Sequence, residues 1–108
     1  ERMAKRAIMG LARTGGIGSN GSGDYVIAFS TDPSLRIPHE SAERSNTANT
    51  LRNDAMSPLF LAVIEATEEA IVNSLFAAET MTGKDGHTIK ALPKDDVLKI
   101  LKRYQAIK

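Results

Sequence analysis

A serine and an aspartate stand two positions apart in the sequence Gly-Ser-Gly-Asp at residues 21–24. Side chains alternate along an extended strand, so residues i and i+2 project from the same face. We therefore expect the hydroxyl of Ser22 and the carboxylate of Asp24 to point the same way. A hydroxyl beside a carboxylate can handle protons in a hydrogen-bond network. The glycines leave room for a substrate or another backbone to approach.

The same four residues are also typical of a turn that leads into a strand, because Gly, Ser and Asp are common turn formers. Taken alone, they favour this simpler interpretation. The surrounding elements must therefore decide between a turn and a catalytic pair.

The segment that follows, residues 24–31, is predicted to be a strand. Both of its faces are largely apolar, which indicates a central strand buried between layers of helices. A single strand cannot satisfy its own backbone groups, so its neighbours must come from other chain segments. The residues of one face are Tyr25, Ile27 and Phe29, and those of the other are Val26, Ala28 and Ser30.

A first helix is predicted from near Glu1 to the pair Gly15-Gly16, and the glycine-rich connection 17–23 follows it. This connection lacks the Walker pattern of a phosphate-binding loop. The apolar positions of the helix are Met3, Ala4, Ala7, Ile8, Leu11 and Ala12. Its basic residues Arg2, Lys5, Arg6 and Arg13 are interpreted as a solvent-exposed face.

Two more helices are predicted after the polar segment 32–54. The second begins near Ser57 as N-cap with Pro58 at the first helical position, and runs to about Met81. A turn at 82–86 separates it from a short last helix that opens at residues 92–96. The inward residues predicted for the second helix are Phe60, Val63, Ile64, Thr67, Ile71, Ser74, Leu75 and Ala78. Those predicted for the last helix are Val97, Leu98, Leu101 and Tyr104.

Composition excludes several classes of function. The net charge of +1, from 14 basic and 13 acidic residues, provides no basic field for nucleic acid. No apolar run approaches the length of a membrane span. The compartment is not identified by the sequence, and a cytoplasmic location is favoured over a periplasmic one. The absence of cysteine excludes disulfides, thiolate catalysis and Cys-based metal sites.

Other polar residues are interpreted structurally. His39 and His87 are expected to be solvated turn residues rather than metal ligands or members of a triad. Glu68 and Glu69 are assigned to a solvated helix face rather than to acid–base chemistry. Four residues near the end of the second helix could line a pocket, but bonds to backbone are the favoured interpretation. These four are Asn73, Ser74, Glu79 and Thr80.

Three motifs in order resemble the beta-aminopeptidase family, also called the L-aminopeptidase/D-amidase/D-esterase family. They are RAIMGLARTG at 6–15 with the Gly-Ser-Gly-Asp strand, PLFLAVIEATEEAIVNSL at 58–75, and AAETMTGKDGH at 77–87. The resemblance runs from about Arg6 to Pro93 and is weakest at 33–53, which we interpret as a variable surface loop.

The resemblance implies an α/β fold, specifically part of an αββα sandwich to which this chain supplies helix, strand, helix and helix. It also implies a precursor that cuts itself before a serine, which then acts as an N-terminal nucleophile. The reaction would release an N-terminal residue from a short peptide, amide or ester through an acyl-enzyme. No cofactor and no metal are implied. Within this family pattern, Ser22 and Asp24 correspond to active-site residues close to the nucleophile.

The chain matches the smaller, C-terminal fragment of such a precursor, residues 1–108 forming a single partial domain. In the family, the nucleophilic Ser and a short apolar strand precede the first helix, and neither is in this sequence. We therefore expect the chain alone to be inactive. The expected partners are the larger N-terminal fragment and the missing strand, in a homo-oligomer of heterodimers.

Two alternatives remain open. The ornithine acetyltransferases share the self-cleaving design but pass the acyl group to an amine instead of water. A non-catalytic subunit could also keep the same fold. The identity of the nucleophile would discriminate among the three, and it lies outside this sequence.

Overall fold

The computed structural model describes residues 1–40, 42, 45 and 47–108. The part of the predicted variable loop at 41, 43, 44 and 46 lies outside the described residues. Among these residues, three α-helices and one small hairpin form a mixed α/β structure. The helices are α1 (Ala4–Arg13), α2 (Ser57–Ala77) and α3 (Lys94–Arg103), and the strands are β1 (Met81–Thr82) and β2 (Thr88–Ile89). Single 3₁₀ turns occur at Pro33–Leu35, Asn53–Ala55 and Lys84–Gly86.

The chain divides into two compact units, Glu1–Glu68 and Glu69–Lys108, with the boundary inside α2. The first unit contains α1, residues 24–31 and the first half of α2. The second contains the rest of α2, the hairpin and α3. The assignment of residues 1–108 to one partial domain stays a prediction.

Helix α1 ends as predicted at the glycine pair. The N–H of Gly16 donates to the carbonyl of Leu11, and the N–H of Gly15 donates to that of Ala12, both at 3.1 Å. This pair of bonds is the Schellman arrangement, which satisfies carbonyls left without helical partners. The Thr14 hydroxyl adds a bond to the Leu11 carbonyl at 2.7 Å. The glycine-rich connection therefore leaves the helix with a defined direction.

Within the first unit, α1 packs against the first half of α2 at Gly10. A β-carbon at Gly10 would lie 2.6 Å from the Ile64 carbonyl oxygen and 2.7 Å from Cβ of Thr67. Gly10 is buried, and no larger residue fits without moving one of the helices. Farther along, Nε of Arg13 lies 3.0 Å from Oε2 of Glu68. The successive contacts run in the same chain direction, so the two helices are parallel here.

The predicted exposed basic face of α1 is wrong for Arg6, which is half-buried, whereas Arg2, Lys5 and Arg13 are exposed. The guanidinium carbons of Arg2 and Arg6 lie 5.0 and 4.1 Å from the centre of the Phe60 ring. Nη1 of Arg2 also donates to Oδ1 of Asn53 at 2.8 Å. The electron-rich ring face attracts guanidinium cations, contributing about 0.5–1 kcal/mol each at exposed sites. Helical periodicity locates a basic stripe but cannot show which ring of another helix lies beneath it.

Residues 24–31 form no helix and no backbone ladder with any other described residue. The partners that the predicted strand needs are therefore not among the described residues, and its pairing with strands from other segments stays a prediction. A strand requires a partner for its N–H and C=O groups, and these residues offer the right pattern without one. Tyr25 is 91% exposed and Phe29 is 82% exposed.

The strands that do form lie in the second unit, where the sequence predicted only a turn. Met81 pairs with Ile89, and Thr82 pairs with Thr88, in antiparallel register. Asp85 and Gly86 have φ of 58° and 76°. Positive φ at both central residues is the type I′ condition, which Asp-Gly favours and which matches the twist of a hairpin. Local turn chemistry thus closes this hairpin.

Helix α2 begins at Ser57 itself, because the Phe60 N–H bonds to the Met56 carbonyl at 3.1 Å. Ser57 is thus the first helical residue rather than the predicted N-cap. The helix ends at Ala77, before the predicted Met81. Pairing in the hairpin takes Met81 and Thr82 out of the helix, so the apolar stripe alone does not determine where the helix ends.

Helix α3 forms where predicted, with Asp95 and Asp96 in its first turn and basic residues in its last. These charges complement the helix dipole. Val97 and Leu101 are half-buried as expected. The other two residues predicted to face inward, Leu98 and Tyr104, are 41% and 72% exposed.

The described residues contain little core of their own. Ala7 is the one hydrophobic side chain among them that is buried. Apolar residues lie on several sides of α2, including the exposed Leu59, Leu61 and Leu75. A helix that is apolar on all sides is usually enclosed in its folded protein. None of the described helices combines the length and apolar character that crossing a membrane requires.

Candidate active site

A β-turn precedes the candidate pair. The N–H of Ser22 donates to the carbonyl of Ser19 at 2.9 Å. Gly21, the third residue of this turn, has φ of 90°. A positive φ at that position is the requirement of a type II turn and favours glycine. The sequence Ser-Asn-Gly is the signal for this turn, because Asn and Gly are strong turn formers.

The structure brings Ser22 and Asp24 together. The Ser22 hydroxyl donates a hydrogen bond to Oδ2 of Asp24. A hydrogen bond to an ionised carboxylate is charge-assisted and is stronger than one between neutral groups. Both side chains are exposed, so a substrate or another chain segment can reach them. The arrangement can hold a proton between a hydroxyl and a carboxylate; the catalytic role of the two residues stays a prediction.

Residues 25–29 follow this pair directly in the chain. Beyond them, Asp32 caps the 3₁₀ turn Pro33–Leu35 through Oδ1, which accepts bonds from the Ser34 N–H at 2.9 Å and the Ser34 hydroxyl at 2.8 Å. These two bonds hold the pKa of Asp32 below its ordinary value of 3.8, and the backbone bond has the larger effect. The site segment therefore has a defined turn at each end.

The polar residues interpreted structurally show local partners in two cases. The Ser74 hydroxyl donates to the Ile71 carbonyl at 2.7 Å, and the Thr80 hydroxyl accepts from the Ala91 N–H at 3.0 Å. Both bonds confirm the structural interpretation for these two residues. Asn73 and Glu79 are exposed.

The other candidate carboxylates and imidazoles lie outside the site. Glu68 pairs with Arg13, a contact that the predicted solvated face did not include. Glu69, His39 and His87 are exposed. Among residues 1–40, 42, 45 and 47–108, no three His, Cys, Asp or Glu side chains are grouped so that they could hold a metal ion.

Three comparisons with known proteins bear on this site. The family model for peptidase family S58 matches residues 1–89, which include Ser22 and Asp24. Beta-peptidyl aminopeptidase BapA of Sphingosinicella microcystinivorans is 43% identical over 107 residues, covering 99% of this chain and 26% of that protein. The protein of the same name from Sphingosinicella xenopeptidilytica is 41% identical over 103 residues, covering 94% and 25%.

A solved structure supports the same relationship. The crystal structure of the PH0078 protein from Pyrococcus horikoshii OT3 superposes with a TM-score of 0.84 at 53% sequence identity. The match covers 96% of this chain and 29% of that one. The chain thus spans about a quarter of the length of the curated relatives that it matches. It belongs to peptidase family S58, the beta-aminopeptidase family.

Proposed function

We propose that this chain is the part of an aminopeptidase-type hydrolase that contributes Ser22 and Asp24 to the active site. The observation that carries the proposal is the hydrogen bond between their side chains, inside the region that the S58 family model matches. The names of the two curated relatives support an aminopeptidase activity for the whole protein. The substrates would be short peptides, amides or esters with a free N-terminus.

The proposed reaction proceeds through an acyl-enzyme on an N-terminal Ser outside this sequence. The hydroxyl oxygen of that Ser attacks the substrate carbonyl while its own amino group takes the hydroxyl proton. The tetrahedral intermediate then expels the leaving amine, which receives the proton, and an ester remains. Water cleaves the ester, releasing the acid and restoring the hydroxyl. No oxidant, reductant or further reactant is required.

Ser22 and Asp24 would serve this reaction by handling protons. The carboxylate of Asp24 can accept a hydrogen bond from the protonated terminal amine, which stabilises the positive charge that forms during attack. The Ser22 hydroxyl, both donor and acceptor, can relay a proton between the nucleophile and the leaving amine. The exposure of both side chains in the described chain is consistent with contact to a segment outside it.

The rest of the proposal concerns the assembly. Residues 24–31 would form a central strand of an αββα sandwich, paired on both edges by strands from the missing N-terminal segment and the larger fragment. The exposed apolar side chains of these residues, and the lack of a paired strand among the described residues, support this arrangement. Oxyanion donors and much of the substrate pocket would come from the larger fragment, in a homo-oligomer of heterodimers.

The test replaces each member of the pair in the processed full-length protein. We expect Ser22→Ala and Asp24→Asn to slow acylation roughly 100-fold or more, the size of a typical general acid–base contribution. Ser30→Ala and Asp54→Asn are matched controls, since they remove the same chemical groups elsewhere, and should stay within about threefold of wild type. Stopped-flow release of nitroaniline from a β-amino-acid p-nitroanilide measures the rate, and intact mass gives the processed fraction.

Rates within a few-fold of wild type for both variants would return Ser22 and Asp24 to the turn interpretation.

Product analysis separates the two enzymatic alternatives. A hydrolase yields the free β-amino acid, whereas an acyltransferase yields an acylated amine when an amine acceptor such as ornithine is added. Acylated amine as the dominant product would replace the hydrolase assignment.

A further inference from the structure

Gly21 is the residue that allows the backbone to turn immediately before Ser22. Its φ of 90° is accessible to glycine and costly for other L-residues. The turn is closed by the 2.9 Å bond from the Ser22 N–H to the Ser19 carbonyl. The backbone of Ser22 is thereby fixed on its N-terminal side, and its hydroxyl is directed to Asp24.

We infer that Gly21 is a positioning residue for the proposed reaction, acting through Ser22. The inference rests on the proposed function, because it requires Ser22 to take part in catalysis. Gly21 itself touches no reacting group. Its contribution is a backbone conformation that sets where the Ser22 hydroxyl points. A misplacement on the order of 1 Å in a catalytic group can cost about 100-fold in rate.

The neighbourhood of Gly21 shows that the effect of a side chain there would be conformational. A β-carbon at Gly21 would meet no atom within 4 Å, so an alanine creates no clash. The strain would come from the positive φ alone, and the chain relieves such strain by rotating the backbone. Rotation at Gly21 moves the next residue, Ser22. The expected defect is therefore in catalytic geometry.

Another glycine of the same loop provides a matched control. Gly18 also has positive φ, 58°, with nothing within 4 Å of a β-carbon, but it precedes the turn. Gly18→Ala thus reproduces the strain without the turn.

The experiment measures kcat and KM for Gly21→Ala and Gly18→Ala in the processed full-length protein, each also in a Ser22→Ala background. We expect Gly21→Ala to lower kcat roughly 10- to 100-fold with KM within about twofold. The control variant Gly18→Ala should stay within about threefold. In the Ser22→Ala background, Gly21→Ala should add less than about threefold, because a residue that acts through Ser22 has nothing left to position.

Gly21→Asn extends the test, since asparagine tolerates positive φ better than alanine and should retain more kcat. It also provides a folded variant if Gly21→Ala does not fold. Equal losses for Gly21→Ala and Gly18→Ala, or an undiminished loss in the Ser22→Ala background, would overturn the inference. Wild-type kcat for Gly21→Ala, with a slow Ser22→Ala, would overturn the inference and leave the proposed function standing. Wild-type kcat for Ser22→Ala would overturn both.

Discussion

Two regions of this chain with strand-like sequences differ in whether they find a pairing partner. The hairpin at residues 81–89 pairs with itself, in a register held by Met81–Ile89 and Thr82–Thr88. Residues 24–31 have the stronger strand pattern, yet among the described residues they find no partner. The hairpin partners are joined by an Asp-Gly turn.

The difference shows which kind of information a short stretch of sequence contains. A hairpin needs only a turn of the right handedness, and two residues supply it. A central strand needs partners that are distant in the chain or belong to another fragment. Residues 24–31, which begin at the Ser22 and Asp24 pair, are predicted to be such a central strand. The candidate site therefore depends on contacts with distant segments, which the hairpin does not need.

The largest expected effect tests whether residues 24–31 are buried in the complete protein. In the described chain, Phe29 is 82% exposed and Met81 is 71% exposed, so the two side chains start from similar surroundings. If residues 24–31 become a central strand, Phe29→Ala should destabilise the full-length protein by about 3–5 kcal/mol. Met81→Ala, on the hairpin, should cost less than about 1 kcal/mol.

Urea unfolding of the two full-length variants measures both numbers. A small and equal loss for Phe29→Ala and Met81→Ala would remove the distinction between the regions. Amide exchange adds a direct readout of pairing, because the N–H groups of residues 26 and 28 should be protected if strands flank them on both edges.

A smaller effect is expected from the turn that closes the hairpin. Gly86→Ala forces a residue with a β-carbon into φ of 76°, at a cost of about 1–2 kcal/mol. Gly83→Ala is the matched control, because Gly83 has φ of −101° and its β-carbon would lie 3.9 Å from the nearest atom, the His87 carbonyl oxygen. Thermal unfolding of the full-length variants should separate them. Equal melting temperatures would show that the hairpin does not depend on the turn geometry.

The smallest effect concerns Asp32, which directly follows residues 24–31. Because the Ser34 bonds lower the pKa of Asp32 below 3.8, the ionised carboxylate favours the folded turn. This stabilisation is present above the ordinary pKa and is lost as the pH falls through the lowered value. Carbon-detected NMR titration of the Asp32 carboxyl should show the lowered pKa. Ser34→Ala, which removes the hydroxyl bond and leaves the backbone bond, should move the pKa part of the way back. An unchanged pKa in Ser34→Ala would show that the hydroxyl bond has no effect.

The helices were predictable because their signals are local. The Gly15-Gly16 pair ends α1, and the acidic first turn of α3 lies where the sequence places it. Spacing in the sequence also indicated that Ser22 and Asp24 could face each other, and they do. Such features depend on residues only a few positions apart. They need no information about the rest of the protein.

Features that depend on a distant element were not predictable. Nothing around Arg6 indicates that Phe60 lies beneath it, and the predicted exposed face is wrong there. The apolar stripe predicts an end of α2 four residues beyond the observed one, because it cannot show that Met81 and Thr82 pair in a hairpin. The tight contact at Gly10 likewise depends on Ile64 and Thr67 in another helix.

The sequence by itself determined three helices, the Asp-Gly turn, the chemistry of the Ser22 and Asp24 pair and the resemblance to its family, because each is written within a short span. The tertiary structure alone decided the parallel contact of α1 with α2, the stacking of two arginines on one ring, and the absence of a partner for residues 24–31 among those described. The physical reason is the distance along the chain over which each interaction acts. Turn, cap and helix preferences act over a few residues, whereas packing and strand pairing depend on which distant surfaces meet.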